Sequence, residues 1–182
     1  MDPSAGPAPP RGVVVRDAVA ADVHDVAVFQ TRTWREAYAG LVSPDYLSRV
    51  GVPEREASWS LRIASTSRHV VVARAGASAA GAATPAAGRV VGVASWGLGD
   101  PADPDDLDLP ELKTLYVAAS SRGTGLAHTL LHRTLGDAPG YLWVFERNAR
   151  AVAFYRRHGF SPDGARKLDV GPDVHEVRLV RR

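Results

Sequence analysis

The chain has no cysteine among its 182 residues. That absence excludes disulfides, thiolate nucleophiles and zinc sites built on cysteine. The chain also lacks an apolar run close to the roughly 20 residues that a membrane-spanning helix needs. Its first residues, MDPSAGPAPPRG, contain neither the charged region nor the apolar region of a signal peptide. We therefore expect a cytoplasmic protein that has no membrane partner.

The chain has almost no excess of positive over negative charge. The formal net charge is only +2 and no long basic run exists, so the sequence does not favour a nucleic-acid partner. The length and the near-average apolar fraction favour one globular domain with a proper core. We predict a disordered, proline-rich N-terminus over residues 1–11 and a single domain over residues 12–182.

Metal-binding motifs are incomplete. The pair His128 and His132 has the spacing of a zinc-protease helix, but Thr129 stands where that motif needs its catalytic glutamate. The aspartate-rich stretch between residues 97 and 110 lacks the glycine and the final glutamate of a calcium loop. No nucleotide-binding P-loop is present, and we predict no metal site.

The stretch Glu111–Leu135 is the most informative part of the chain. Its first half is an apolar, β-branched and aromatic run of strand length, and from Leu126 onward leucines recur at helical spacing. Between them lies Arg122-Gly123-Thr124-Gly125. A strand that enters a helix through glycines leaves backbone N–H groups free at the helix start, where an anion such as a phosphate is favoured.

The order of the elements predicts the fold class. Hydrophobic patterning indicates one strand, several helices, three strands, a helix, a strand, a helix and two final strands. This order predicts an α/β (mixed α+β) fold whose central twisted sheet of about seven strands is mostly antiparallel and flanked by helices. The strand–helix–strand unit from Leu112 to Phe145 should make two of the strands parallel.

Three stretches resemble the GNAT-type N-acetyltransferases, which use acetyl-CoA. LYVAASSRGTGLAHTLL is similar to the family's pyrophosphate loop, NARAVAFYRRHGF to its N-x-x-A-x-x-F-Y-x-x-x-G-F segment, and WREAYAGLVSPDYL to its first and second helices. One position departs: Ser120 stands where the loop often has Gln or Arg, so binding of the pyrophosphate should depend more on Arg122 and on backbone N–H groups.

The resemblance implies an acetyl-CoA site and a GNAT-like fold. Its acetyl-CoA-binding residues would be Leu115, Tyr116, Val117, Arg122, Gly123, Thr124, Gly125, Leu126, Ala127, Asn148 and Tyr155. It also implies a bulged strand near Val117 that splays from its neighbour, and an unpaired backbone N–H there would polarise the thioester carbonyl. Asn148 suits a helix N-cap and lies two turns from Tyr155, so both would face the same side of their helix.

Two residues are candidate catalytic groups. A tyrosine carries its proton at neutral pH, so Tyr155 is the candidate that protonates the leaving thiolate; the alternative is an aromatic core residue. Glu111 is the candidate base, because a glutamate takes the amine proton at the matching place in some family members. An unshifted carboxylate is a weak base for an ammonium, so Glu111 would need burial or a water relay, and a solvated charge is an equal alternative.

The acceptor side is less defined. Trp34 and Tyr38, with Tyr46, would line an acceptor pocket, although core packing explains Trp34 equally well. The acidic loop at Asp100–Asp108 would attract a cationic acceptor, although a solvated loop is the simpler interpretation.

The partner would be a small-molecule or peptide amine, and a homodimer is possible. The alternatives to an N-acetyltransferase are a non-catalytic acyl-CoA-binding sensor module and a phosphate-binding structural protein.

Overall fold

Seven strands form one mixed sheet. The computed structural model describes residues 6–49, 51–76, 88–99 and 107–182. In these residues the strand order is β1-β2-β3-β4-β5-β7-β6, and every neighbouring pair is antiparallel except β4 with β5. The strands are β1 (Val13–Asp17), β2 (Arg68–Ala75), β3 (Arg89–Gly97), β4 (Glu111–Val117), β5 (Gly140–Phe145), β6 (Ser161–Asp169) and β7 (Val174–Arg181). The predicted fold class is confirmed.

Five α-helices within the described ranges flank the sheet. They are α1 (Val23–Tyr38), α2 (Pro44–Arg49), α3 (Val52–Ala64), α4 (Leu126–Leu135) and α5 (Ala149–Arg157). Helices α1 and α3 pack on each other, and α4 packs against β2, β3 and β4. Helix α4 connects β4 to β5, so the predicted strand–helix–strand unit does make these two strands parallel.

The central strands are covered on both faces. Every residue from 70 to 74 in β2 and from 90 to 95 in β3 is buried, and these runs are valine-rich, as is typical of strands with helices on both sides. Gly92 lets α4 approach β3 closely, because a Cβ there would meet Leu130 Cδ1 at 2.8 Å. The tight seating of α4 places its N-terminus at the end of β4.

The irregularity of β4 lies at a different residue from the predicted one. The pairing with β3 is regular from Gly92↔Val117 to Ser95↔Thr114, and the next pair is Trp96↔Leu112. Lys113 is therefore the extra residue of a bulge, and the expectation of a bulge near Val117 is wrong in position. The reason is that four consecutive pairs hold the Val117 end in register, so the extra residue is accommodated nearer the start of the strand.

Some sequence predictions fall on residues outside the described ranges. They concern the acidic loop, of which residues 100–106 are not described. Of the predicted disordered N-terminus, residues 6–11 are described, and the Ala8 carbonyl accepts a hydrogen bond from the Thr129 hydroxyl of α4 at 3.4 Å. The domain boundaries stay predictions. Across the described ranges, none of the helices combines the length and the apolar character needed to span a bilayer.

Candidate active site

Strands β4 and β5 open a cavity between them. They are paired only at their first residues, through Glu111↔Tyr141, and no further pair joins them within the described chain. The cavity has a volume of about 500 Å³. Its walls are α1 (Thr33, Ala37, Tyr38), β4 (residues 112–117), the turn and start of α4 (Ser121, Arg122, Gly123, Gly125, Leu126, Ala127, His128), β5 (residues 143–145), α5 (Asn148, Arg150, Ala151, Phe154, Tyr155, Arg157), His158 and Glu176. A sheet that splays in this way exposes main-chain groups to a ligand.

The N-terminus of α4 forms one end of this cavity. Gly123 and Gly125 have φ angles of 77° and 89°, in the left-handed region that glycine tolerates best. A Cβ at either position would meet nothing within 4 Å, so the backbone here is open on the ligand side. Gly125 is the N-cap of α4 and contributes no side-chain cap. The free N–H groups in the first turn of α4 and the helix dipole favour an anion at this end.

Two arginines add positive charge beside this helix end. Arg122 and Arg150 both line the cavity. Burial lowers the pKa of Arg150, and the neighbouring charge of Arg122 lowers it further, so the two guanidinium groups lie close enough to repel each other. An anionic group placed between them would relieve this repulsion. Sequence reasoning missed Arg150, although its position two residues after Asn148 at the start of α5 was a usable signal.

Helix α5 brings Asn148 and Tyr155 to the cavity. The Asn148 side chain accepts a hydrogen bond from the Ala151 N–H at 3.2 Å, which confirms it as the N-cap. Tyr155 is 8% exposed and packs edge-on against Phe154 and Phe160. Burial raises the pKa of the Tyr155 phenol, and its electrostatic coupling to Tyr38 raises it further. The phenol therefore keeps its proton throughout the neutral range.

A tyrosine pair forms the opposite wall. The hydroxyls of Tyr38 and Tyr116 lie 3.4 Å apart, and the Tyr38 ring packs on Phe145 with centroids 4.6 Å apart. Burial is the main cause that raises the pKa of each phenol. Trp34 and Tyr46 pack behind Tyr38, with ring centroids 5.6 Å from Trp34 to Tyr38 and 5.8 Å from Trp34 to Tyr46. Of the predicted acceptor residues, Tyr38 lines the cavity, whereas Trp34 and Tyr46 support it from behind.

The two carboxylates near the site are placed differently. Glu111 is buried and forms an ion pair with Lys113, the bulge residue. Lys113 lines the cavity, whereas Glu111 is not among the described residues that do so. Glu176 of β7 does line it and influences the pKa of Tyr38. Sequence reasoning missed Glu176, because only the antiparallel pairing of β7 with β5, through Phe145↔Glu176, brings it to the cavity.

Most of the predicted acetyl-CoA residues come together. Among the described residues, all of them line the cavity except Thr124, whose hydroxyl instead donates to the Ser121 carbonyl at 2.7 Å. Thr124 therefore closes the turn that presents the two glycines. Ser120, the residue that departs from the motif, is also outside the cavity lining, while its neighbour Ser121 is part of it.

Comparison with known sequences finds similarity to acetyltransferases. The sequence model described as acetyltransferase (GNAT) domain matches residues 66–162. A probable N-acetyltransferase of Mycobacterium tuberculosis, Rv2775, is 28% identical over 160 residues, which cover 85% of this chain and 83% of that protein.

Solved structures agree in fold. A PaiA N-acetyltransferase from Thermoplasma acidophilum, solved in complex with coenzyme A, has a TM-score of 0.65 at 16% identity, covering 91% of this chain and 97% of that one. A ribosomal-protein-alanine N-acetyltransferase from Brucella melitensis has a TM-score of 0.62 at 22% identity, covering 92% and 98%. At such low identity the likeness concerns the fold alone.

Proposed function

Since the chain belongs to the GNAT acetyltransferase family, we propose that it transfers the acetyl group of acetyl-CoA to a primary amine of a small molecule or peptide. The amine attacks directly while both substrates are bound. One observation carries this proposal: a cavity opens between β4 and β5 and ends at the glycine-capped N-terminus of α4. Acetyl-CoA supplies an activated thioester. Homodimerisation and a cytoplasmic location remain predictions from the sequence.

The residues at the α4 end fit the pyrophosphate of acetyl-CoA. Free N–H groups at the helix start, the open surface at Gly123 and Gly125, and the cations Arg122 and Arg150 all favour an anion. A single helix-end contribution is only about 0.3–1 kcal/mol, so binding depends on these groups acting together. Arg150 supplies the second charge that Ser120 cannot supply.

The splayed face of β4 fits the remaining arm and the thioester. In the part of the chain that the structure describes, main-chain groups of β4 that face β5 lack a strand partner beyond Glu111, so they are available to an extended ligand. We assign to a backbone N–H near Val117 the role of holding the carbonyl oxygen as negative charge develops on it. Donors already in position when charge appears stabilise it without reorganisation.

Proton transfer is assigned to two side chains. Tyr155 gives a proton to the departing sulfur. Glu111 takes the proton of the amine through a water relay, because it is buried beside Lys113 rather than on the cavity wall. Glu176 is the competing carboxylate, since it lines the cavity directly.

The choice of base is tested by a matched pair of variants. With Glu111 as base, we expect Glu111→Gln to lower kcat by about 10²–10⁴-fold, the usual contribution of general-base catalysis. Glu176→Gln should change kcat only a few-fold. Steady-state rates across pH, with thermal melting to check the folded state, measure both. A large loss for Glu176→Gln alone would reassign the base to Glu176.

The function itself is tested with a thiol-release assay. Purified protein, acetyl-CoA and a panel of amines should give time-dependent free thiol with at least one acceptor, together with the acetylated product by mass spectrometry. Calorimetry with acetyl-CoA separates the alternatives. Binding without thiol release on any acceptor would support a sensor module, and absence of acetyl-CoA binding would support a phosphate-binding structural protein.

A further inference from the structure

Two arginines of α3 have no ion-pair partner among the described residues. Arg55 and Arg62 lie two helical turns apart, so they share one face of α3. Each guanidinium stacks on a tryptophan ring: Arg55 lies 5.1 Å from the centroid of Trp34 and Arg62 lies 4.9 Å from that of Trp59. Within the described chain neither forms an ion pair.

Arg55 also has an unpartnered donor. The described residues hold three buried side-chain polar atoms without a hydrogen-bond partner: Thr33 Oγ1, Arg55 Nε and Ser95 Oγ. Leaving such an atom unpaired costs about 1–3 kcal/mol, and more for a charged group. Arg55 stacks on Trp34, the residue that follows Thr33 in α1, and Thr33 lines the cavity. Arg55 is not among the described lining residues, but its guanidinium lies one aromatic ring away from them, so a polar ligand that enters from the Thr33 wall would meet an unpaired donor.

Positive charges cluster along this face of α3. Burial lowers the pKa of Arg55 and Arg62, and the positive charge of Arg55 lowers that of Arg62 further. Both arginines are electrostatically coupled to the Tyr116 phenol, which lines the cavity. Paired cations without a carboxylate are unfavourable in a partly buried place unless an anion joins them.

Arg55 lies near the wall of the cavity that contains Tyr38, where the acceptor is expected, rather than near the N-terminus of α4, where the phosphates of acetyl-CoA are expected. Arg55 contacts Trp34, Trp34 packs on Tyr38, and Tyr38 lines the cavity. Arg122, Gly123 and Gly125 are not part of this chain of contacts; they belong to the phosphate end at α4. The Tyr46 hydroxyl, on the same aromatic cluster, lies where a Cβ of Gly171 would be 2.7 Å away, so the turn between β6 and β7 closes the cluster.

Resting on the proposed acetyl transfer, we propose that the acceptor is a small amine that carries its own carboxylate, as an amino acid does, and that Arg55 binds this carboxylate. The planar guanidinium offers parallel N–H donors that match a carboxylate, and its stacking on Trp34 holds it in one orientation. Arg62 reinforces the positive potential from the next turns of α3. The rings of Tyr38 and Tyr116, which line the cavity, accept an apolar side chain.

Matched acceptors test the proposal. Common amino acids are compared with their carboxamides and their decarboxylated amines in the thiol-release assay. We expect kcat/KM for the carboxylate to exceed that for the carboxamide by roughly 10–100-fold, the range of a charge-assisted hydrogen bond. Equal or better use of the uncharged acceptors would overturn the proposal. Dipeptides form a second arm, which separates a free amino acid from a peptide N-terminus.

Variants connect the preference to Arg55. Arg55→Met keeps the packing on Trp34 and removes the charge, so it should raise KM for carboxylated acceptors about 10–100-fold without changing KM for acetyl-CoA. Arg55→Lys should restore part of the preference. Arg32→Met, an exposed arginine paired with Glu36 on α1, is the control and should change neither parameter. An equal loss on charged and uncharged acceptors would indicate a structural role and reject the assignment.

A binding measurement keeps this proposal separate from the proposed function. N-acetyl amino acids are titrated into the protein with coenzyme A present, and tryptophan fluorescence is followed, because Trp34 lies beneath Arg55. Saturable quenching that Arg55→Met abolishes supports the carboxylate site even if no amine releases thiol, in which case only acetyl transfer fails. No saturable change in the wild-type protein overturns the carboxylate site.

Discussion

Tyr155→Phe should lower kcat by about 10²–10⁴-fold while KM for acetyl-CoA changes only a few-fold, because the variant removes a proton donor and keeps the ring. The ring contacts with Phe154 and Phe160 remain, so the cavity wall at α5 is preserved. The departing sulfur then leaves as a thiolate without a proton from the protein. Steady-state kinetics with an acceptor from the thiol-release panel measure both parameters.

The direction of the pKa shift makes this prediction sharper. Burial raises the pKa of Tyr155 above its ordinary value of about 10. The proton is therefore present at every pH below that value, and loss of activity between about pH 8 and 10 cannot come from Tyr155 ionising. The wild-type protein and Tyr155→Phe should show the same alkaline limb, differing by a constant factor.

Another buried tyrosine provides the control. Tyr141 of β5 is buried and is not among the described residues that line the cavity. Tyr141→Phe should leave kcat within a few-fold of wild type, and a comparable loss in both variants would mean that the effect comes from packing. Full activity of Tyr155→Phe would remove Tyr155 from the proton-transfer step.

Local sequence chemistry predicted the parts of the site that depend on neighbouring residues. The glycines around Thr124 form the turn that begins α4, and Asn148 caps α5, because both effects act within one turn of chain. The alternation of apolar and polar residues and the apolar runs were likewise sufficient to predict the strands of the sheet. These features needed no knowledge of which strands become neighbours.

Residues that reach the site through tertiary contacts were not predictable in the same way. Glu176 joins the cavity only because β7 inserts between β5 and β6 in the sheet. Lys113 is the extra residue of a bulge only because the regular pairs between β3 and β4 begin at the Val117 end of β4. Arg55 is adjacent to the site because α3 packs on α1. Register and helix packing are properties of the whole fold, and a residue's own neighbours in sequence do not encode them.

A buried ion network joins the start of α1 to the first two strands. Asp22 is fully buried and accepts hydrogen bonds from Arg16 at 2.7 and 2.9 Å, from Arg74 at 2.8 and 3.0 Å, and from the Val19 N–H at 2.8 Å. Arg74 is also buried and reaches Asp25 at 2.8 Å. Since α1 carries Thr33 and Tyr38, which line the cavity, this network fixes the position of that wall of the cavity relative to the sheet.

Asp22→Asn should destabilise the protein by about 3–5 kcal/mol, because it leaves the buried guanidinium of Arg74 without its main counter-charge. For a domain of this length that corresponds to a fall in Tm of about 6–20 °C. Denaturant and thermal unfolding followed by circular dichroism measure the change. Asp17→Asn, which alters an exposed aspartate at the end of β1, should shift Tm by little.

The pH dependence identifies the ion network as the cause. Burial alone would raise the pKa of Asp22, but the hydrogen bonds from Arg16, Val19 and Arg74 outweigh it and hold the pKa below its ordinary value. The stabilisation is therefore complete above the unfolded-state pKa of about 3.9 and is lost as pH falls through the lower folded-state pKa. Asp22→Asn lacks this titration, so its deficit relative to wild type should shrink as the pH is lowered below about 4. A deficit that stays constant down to the acid-unfolding range would mean that the lost stability is steric and that the charge of Asp22 contributes nothing to holding α1 on the sheet.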